Sequence, residues 1–260
     1  MSMFPALKKT QEKIEKIEES LNPAVKKVLA LLRLDTASLK NEKAGLSAFE
    51  TVLDHHRIVS HRTRSKDADT FRFLRTQILQ SMNEHGFKTV AISSPRYGDG
   101  KTTIAANLAV SIAQDLKQTV LLVDLDLRKP SLAEYLELSP KAGLTDYLAG
   151  KADVKDCLIR MPFERINVFP AGRPVDRSSE TLGSPQMQKL AAELKERYDD
   201  RLIIYDMPPL LEQDDPLVFL PHVDAFLLVI REGVTTVDEI KRSLDILKSA
   251  KVIGVVLNAV

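Results

Sequence analysis

The segment 94–103, which reads SPRYGDGKTT, combines a glycine-rich turn with a lysine and two threonines. Gly98 and Gly100 allow the backbone to turn its N–H groups toward phosphate oxygens, and a following helix adds its positive end. Lys101 can neutralise the β and γ phosphates, and Thr102 can offer a hydroxyl to Mg²⁺. We therefore predict a nucleotide-binding loop. Its residues are Gly98, Asp99, Gly100, Lys101, Thr102 and Thr103.

This loop departs from the general pattern G-x-x-x-x-G-K-[ST], because Pro95 stands at the first glycine. The surroundings still fit, since an apolar run at 89–93 precedes the loop and a helical window at 104–113 follows it. Strand, loop and helix in that order are the context in which the motif binds phosphate. The alternative is a glycine turn with a surface lysine.

Three aspartates end two other apolar runs. Asp124 and Asp126 lie two residues apart, and the period of two in a strand points both carboxylates the same way. Asp206 ends the run 201–206. Carboxylates at the carboxyl edge of a parallel sheet can hold a metal ion and accept a proton from an attacking hydroxyl. A lone D-x-D pair is weak evidence for a functional site, but three such aspartates beside a phosphate loop predict a phosphoryl-transfer centre.

Six apolar, β-branched runs alternate with amphipathic helical windows. They cover residues 89–93, 119–124, 166–171, 201–206, 225–230 and 252–258. Runs of this kind form strands buried on both faces, and the helices between them predict right-handed βαβ crossovers. We therefore predict an α/β protein of the P-loop NTPase type, with a doubly wound, mostly parallel sheet and an N-terminal helical extension. Ligands bind such sheets at the carboxyl ends of the strands.

The predicted domains are an N-terminal helical extension with a basic connector, 1–65, and a P-loop domain, 66–260. The extension carries a narrow apolar stripe at Leu7, Ile14, Ile17 and Leu21. Such a stripe packs either on the core of the same chain or on a partner helix. The basic stretch 55–66 is either a solvated connector or a segment attracted to an anionic surface.

Charge and cysteine content exclude several classes of protein. The 37 basic and 36 acidic residues give a net charge of +1, so the chain lacks the global field of a nucleic-acid binder. Cys157 is the single cysteine and cannot form an internal disulfide. The N-terminus lacks the pattern of a secretory signal, and the apolar runs are far shorter than the ~20 residues of a membrane span. We expect a cytoplasmic protein.

Three motifs together resemble the bacterial tyrosine kinases that govern capsule and exopolysaccharide assembly, over about residues 55–260. They are PRYGDGKTT in the loop, LLVDLDLRKP after the next strand and YDMPP at the third aspartate. The resemblance implies an ATP-dependent protein-tyrosine kinase that uses Mg²⁺. It makes Asp124 the base for a tyrosine hydroxyl, with Asp126 and Asp206 organising Mg²⁺. It also implies that Lys101 stabilises the migrating phosphoryl group. Asn258 resembles the asparagine that related P-loop ATPases place against the adenine ring.

The resemblance also implies partners. The family packs subunits into a ring through a Glu-x-x-Arg-x-x-Arg helix, which here reads Asp69, Arg72 and Arg75, with the acidic residue shortened by one methylene. The alternative is a core-facing helix with two solvated arginines. The chain resembles the stand-alone branch of the family, in which an integral-membrane polysaccharide co-polymerase activates the kinase. We therefore expect recruitment to the inner face of the cell membrane, and no nucleic-acid partner.

The family's tyrosine-rich tail has no counterpart here. The five tyrosines are Tyr97, Tyr135, Tyr147, Tyr198 and Tyr205. None of them belongs to a terminal cluster, so either a tail has been removed from this chain or the acceptor tyrosine lies in another protein.

Two other functions fit the same loop. ATPase switches of the cell-division-site and plasmid-partition type place a lysine where this chain has Arg96, which is also cationic but differs in reach and shape. The LDLRKP run and the helix at 69–75 argue against a switch. A non-catalytic nucleotide-binding regulator of polysaccharide export is the second alternative. The intact carboxylates argue against that function.

Overall fold

The computed structural model describes residues 50–62, 64–115, 118–161, 163 and 165–259. The predicted helical extension at residues 1–49 lies outside these ranges. The predicted boundary between residues 65 and 66 stays a prediction.

The described residues build a seven-stranded sheet in the order β3-β4-β2-β5-β1-β6-β7. The strands are β1 Thr89–Ser93, β2 Thr119–Asp124, β3 Ile159–Arg160, β4 Ile166–Phe169, β5 Arg201–Asp206, β6 Ala225–Arg231 and β7 Val252–Asn258. All neighbours are parallel except β3, which pairs antiparallel with β4. The mostly parallel sheet is therefore confirmed. β4 ends two residues earlier than the apolar run because Pro170 has no N–H to donate to the ladder.

Helices cover both faces of the sheet. They are α1 Lys66–His85, α2 Lys101–Ala113, α3 Leu132–Tyr135, α4 Leu144–Leu148, α5 Val154–Cys157, α6 Ser178–Leu182, α7 Pro185–Glu196, α8 Asp215–Phe219 and α9 Val237–Ile246, with 3₁₀ turns at Leu220–His222 and Leu247–Ser249. Alternate strand residues enter opposite cores. Val90 and Ile92 of β1 pack with α1 and α2, whereas Ala91 packs on the α7 side. This alternation confirms the predicted doubly wound architecture.

Helix α1 begins and ends at recognisable caps. The Ser65 hydroxyl accepts a hydrogen bond from Ala68 N at 3.0 Å, and Gly86 ends the helix in the left-handed conformation with φ 67°. Ile78 and Met82 bury the inner face of α1. The helix therefore packs against α2 through this face.

Part of the predicted basic connector packs into this domain. Leu53 and Ile58 are fully buried among the side chains of α1 and α2. The interpretation of the basic stretch 55–66 as a solvated connector is therefore wrong at its centre, because Ile58 and Ser60 are buried.

Asn107 of α2 fixes this segment through its buried amide. Its Oδ1 accepts hydrogen bonds from Val59 N at 2.8 Å and Ser60 N at 3.1 Å, and its Nδ2 donates to Arg57 O at 3.0 Å. The side chain thus satisfies backbone groups that have no strand or helix partner. None of the helices in the described part of the chain is long and apolar enough to cross a membrane.

Replacing Asn107 with alanine should lower the free energy of unfolding by about 2–4 kcal/mol, because it leaves buried N–H groups without an acceptor. Urea unfolding of the variant and the parent chain measures the difference. Asn83→Ala, at an exposed position of α1, is the control and should change stability by less than about 0.5 kcal/mol. A loss for Asn107→Ala as small as the control's would contradict the proposed anchoring.

Candidate active site

The predicted phosphate loop connects β1 to α2. Gly98 and Gly100 both have left-handed backbones, with φ of 85° and 93°. A Cβ on Gly100 would lie 2.0 Å from Asn258 Nδ2, so this position requires glycine for space as well as for conformation. Asn258 Nδ2 also donates to Asp99 O at 2.9 Å. The end of β7 therefore holds the loop, while a contact of Asn258 with adenine stays a prediction.

Lys101 is the first residue of α2 and is only 7% exposed. Its Nζ lies 3.4 Å from Asp126 Oδ2. Burial alone would lower the pKa of Lys101, but the charges of Asp206, Asp126 and Asp124 outweigh it and raise this pKa. Lys101 therefore stays a cation in a site closed to most water.

The three predicted aspartates meet at one edge of the sheet, and each is at most 1% exposed. Asp124 of β2 lies directly opposite Asp206 of β5 in the parallel register. Asp126 follows in the loop after β2, where its Oδ1 accepts a hydrogen bond from Lys129 N at 3.1 Å. The structure thus brings Lys101 and all three carboxylates together.

Three backbone N–H groups fix the orientation of the Asp124 carboxylate. Its Oδ2 accepts hydrogen bonds from Leu132 N at 3.1 Å and Ser131 N at 3.3 Å, and its Oδ1 accepts one from Asp126 N at 3.0 Å. Burial and the neighbouring charge of Asp206 raise the pKa of Asp124 to about 7, although these backbone bonds act in the opposite direction. The carboxyl group therefore exchanges its proton near neutral pH.

Asp206 is the carboxylate of the site with the fewest hydrogen bonds. Neither of its carboxylate oxygens has a hydrogen-bond partner among the described residues. Burial raises its pKa, while Lys101 and the nearby Thr102 hydroxyl oppose the increase. Buried carboxylate and hydroxyl oxygens without full partners are the donor set that Mg²⁺ prefers. The residues Thr102, Asp126 and Asp206 therefore fit a magnesium ion.

A cleft of about 670 Å³ opens beside these residues. The phosphate loop forms its polar end. Phe71 and Leu74 of α1 line the cleft together with Val256 and Leu257 of β7. A cleft with a cationic, hydroxyl-bearing end and apolar walls suits a ligand that joins phosphates to a flat ring.

Tyr97 is a site residue to which the sequence assigns no role. Its hydroxyl donates to Asp126 Oδ1 at 3.3 Å and accepts a hydrogen bond from Gln213 Nε2. The Lys129 ammonium lies 4.3 Å from the centre of the ring, a cation–π distance. Burial and the charge of Asp126 raise the pKa of Tyr97, so its hydroxyl keeps its proton. A single tyrosine in a loop gives no sequence signal for these contacts.

Arg128 of the LDLRKP run is also tied into the fold. Its Nε donates to Ser178 Oγ at 2.7 Å and its Nη2 to Asp214 Oδ1 at 3.4 Å. These bonds connect the loop after β2 to the starts of α6 and α8. They fix the backbone that holds Asp124 and Asp126.

The predicted oligomer residues lie on α1, outside the carboxylate cluster. Asp69 pairs with Arg72, and Arg72 Nη2 donates to Arg62 O at 2.9 Å. Arg75 Nη1 donates to Ser111 O at 2.8 Å. Both arginines therefore bond within their own chain rather than only to solvent. Arg96 likewise forms an ion pair, with Glu239 at the start of α9.

Comparisons with known proteins show the family of this chain. The AAA domain family matches residues 87–240. The tyrosine-protein kinase YwqD of Bacillus subtilis (strain 168) is 32% identical over 75% of this chain and 82% of its own length. The tyrosine-protein kinase wzc of Salmonella typhi is 33% identical and the succinoglycan biosynthesis transport protein ExoP of Rhizobium meliloti (strain 1021) is 30% identical. The chain spans only 27% and 30% of these two longer relatives.

Two solved structures show the same fold. The kinase domain of the Escherichia coli tyrosine kinase ETK superposes with a TM-score of 0.69 and 31% identity, over 74% of this chain and 75% of that one. The septum site-determining protein MinD of Pyrococcus horikoshii OT3, complexed with Mg-ADP, gives a TM-score of 0.56 and 26% identity. That match covers 66% of this chain and 70% of MinD.

Replacing Asp124 with asparagine should stabilise the nucleotide-free protein by about 2 kcal/mol more at pH 8 than at pH 5. The pKa in the folded state, about 7, lies above the ~4 of an unfolded chain. The folded state therefore holds the extra proton, and stability contributed by this group is lost as the pH rises through that window. Asparagine resembles the protonated carboxyl at both pH values.

Urea unfolding at the two pH values measures this difference. Asp245→Asn, at an exposed position of α9, is the control and should change stability equally at pH 5 and pH 8. Equal gains for Asp124→Asn at both pH values would contradict the raised pKa.

Proposed function

The chain belongs to the bacterial tyrosine-protein kinases, and we propose that it transfers the γ-phosphoryl group of ATP to protein tyrosine. The observation that carries the proposal is the buried cluster in which Lys101, at the end of the phosphate loop, faces Asp124, Asp126 and Asp206. Phosphoryl transfer depends mostly on positioning and charge neutralisation, and this cluster supplies both.

Asp124 is the proposed base. Its pKa of about 7 lets it accept the proton of a tyrosine hydroxyl near neutral pH, and three backbone N–H groups fix its direction. The tyrosine oxygen then bonds to the γ-phosphorus while the bond to the β–γ bridging oxygen breaks and ADP leaves. The proton remains on Asp124 until it exchanges with solvent.

The phosphate loop and Lys101 bind the triphosphate in this proposal. Backbone N–H groups at Gly98, Asp99 and Gly100 face the phosphates, and the buried Lys101 ammonium neutralises the migrating group. Thr102, Asp126 and Asp206 would hold Mg²⁺, and a bound ion would add positive charge to neutralise the triphosphate. The apolar walls of the cleft, with Asn258 among its lining residues, would take the adenine ring.

The output of the reaction is proposed to be control of polysaccharide chain length or export. Two relatives support a link to polysaccharides: wzc is named a tyrosine-protein kinase, and ExoP is named a succinoglycan biosynthesis transport protein. An integral-membrane polysaccharide co-polymerase is the proposed activator, recruiting the kinase from the cytoplasm to the inner face of the membrane. Subunits assemble through the helix that carries Asp69, Arg72 and Arg75. The helical extension that precedes residue 50 is proposed as a unit separate from the kinase domain, whereas residues 50–62 pack with that domain.

An ATPase switch is the second candidate, because the MinD fold also matches this chain. Arg96 stands where that class uses a lysine on a partner's phosphates. Here Glu239, which is 5% exposed and caps α9, pairs with Arg96 within the same chain. In a switch, Arg96 would have to exchange this pairing for the phosphates of another subunit, although an ion pair with a 63% exposed arginine is a small barrier to that exchange.

Incubation of the chain with Mg²⁺-ATP, alone and with its membrane partner, should yield phosphotyrosine. Lys101→Met and Asp124→Asn should each reduce it at least about 100-fold, because they remove the neutralising cation and the base. Immunodetection and mass spectrometry measure the product, and far-ultraviolet circular dichroism confirms that both variants fold. If ATP is hydrolysed but no phosphotyrosine forms under either condition, the protein is an ATPase switch and the proposed kinase function is wrong.

Replacing Phe73 with serine should weaken self-association at least about tenfold without lowering the stability of the monomer. Phe73 is 68% exposed on the same turn of α1 as Asp69 and Arg72. Sedimentation equilibrium measures the association constant. Val237→Ser, on α9, removes an apolar side chain of the same exposure and should leave association unchanged. Equal effects of both substitutions would contradict assembly through α1.

A further inference from the structure

Two histidines and a glutamate outside the carboxylate cluster bring three ligand atoms together. His55 Nδ1 lies 3.4 Å from His56 Nε2, and His56 Nε2 lies 3.6 Å from Glu137 Oε1. The ligand atoms of all three side chains are within 4.8 Å of one another. His55 and His56 follow one another at the end of the helical residues 50–55, whereas Glu137 follows α3.

The separations from His56 to His55 and to Glu137 are close to an edge of a zinc coordination tetrahedron. Zinc bonds of about 2.0–2.1 Å at tetrahedral angles place two ligand atoms about 3.4 Å apart. Two imidazole nitrogens and one carboxylate oxygen form a known zinc donor set that leaves a fourth position for water. We propose that His55, His56 and Glu137 bind Zn²⁺. The nitrogen ligands disfavour Mg²⁺, which prefers an all-oxygen shell.

The backbone at Glu137 supports the proposal independently. Glu137 has φ 50°, and the bonds from Glu137 N to Glu134 O and from Leu138 N to Ala133 O form a helix end that usually requires glycine. A glutamate in the left-handed region is strained relative to glycine. Such strain persists where the side chain has a task, and here that side chain faces two histidines.

The site is open to solvent on one side and supported on the other. The side chain of Glu137 is 54% exposed and that of His56 is 21% exposed, so an ion can enter without opening the fold. The His56 ring packs 4.8 Å from the Tyr135 ring, which limits its rotation. Part of the ligand set is therefore oriented before the metal binds.

A bound ion would fasten residues 50–57 to the end of α3, next to the nucleotide cleft. The Tyr135 hydroxyl donates to His56 O and contacts Thr103 Oγ1 at 2.8 Å. The zinc site would thus brace the side of the cleft that Tyr135 lines. This role is structural and does not depend on transfer of a phosphoryl group to tyrosine.

Isothermal titration of the full chain with ZnCl₂, without nucleotide and without a polyhistidine tag, tests the site. We expect one zinc equivalent to bind the parent chain, with the affinity reduced at least about tenfold by Glu137→Gln and further by His56→Ala. His85→Ala removes an exposed histidine of α1 and should leave the affinity unchanged. MgCl₂ should not compete for this equivalent.

Thermal unfolding gives a second readout that separates ligation from backbone strain. Zinc should raise the Tm of the parent chain because it binds only the folded state. Glu137→Gly should raise the Tm without zinc, since it relieves the strained φ, and should abolish the zinc-dependent increase. Equal zinc affinity in the parent chain, Glu137→Gln and His56→Ala would assign the ion to the carboxylate cluster and overturn the proposal. Absence of binding to the parent chain would overturn it as well.

Discussion

The burial of three carboxylates around one ammonium group is the constraint on which the rest of the site depends. Ionised groups are costly away from water unless a counter-charge lies close by. Lys101 provides that charge only because α2 begins at this residue and the glycine loop delivers it to the edge of the sheet. The register that sets Asp124 opposite Asp206 is equally necessary. A shift of β2 against β5 by one residue would turn a carboxylate toward a hydrophobic core.

The compensation within this cluster is incomplete. The Asp206 oxygens have no hydrogen-bond partner among the residues that the structure describes, and the pKa values of both Asp124 and Asp206 are raised rather than lowered. The nucleotide-free protein therefore keeps an electrostatic strain that a bound cation would relieve. Binding of metal and nucleotide should stabilise such a fold more than their contact area alone suggests. The nucleotide-free fold is thus less stable than it could be, and in return its site is already arranged to bind a cation and a nucleotide.

Local patterns in the sequence were sufficient for most of the fold and for the position of the carboxylates. Each apolar run became a strand, and parallel topology brings strand ends to one edge, so Lys101 and the aspartates could be placed together. Contacts between distant side chains left no such pattern. The pairs Tyr97–Gln213 and Arg96–Glu239 each join residues more than 100 positions apart. The burial of Ile58 was missed for the same reason, because the basic residues around it dominate the local composition.

The neighbours of β1 impose an order on how this domain can form. β1 pairs with β5 and β6, so Thr89 meets Ile203 and Val90 meets Ala225 only after more than 100 further residues exist. Asn258, at the end of β7, then closes on the phosphate loop. Contacts of such high sequence separation form slowly and late. On the ribosome, a nascent chain would carry its phosphate loop through more than 100 residues of further synthesis before the strands that shape this loop emerge, and competence for nucleotide would arrive only with them.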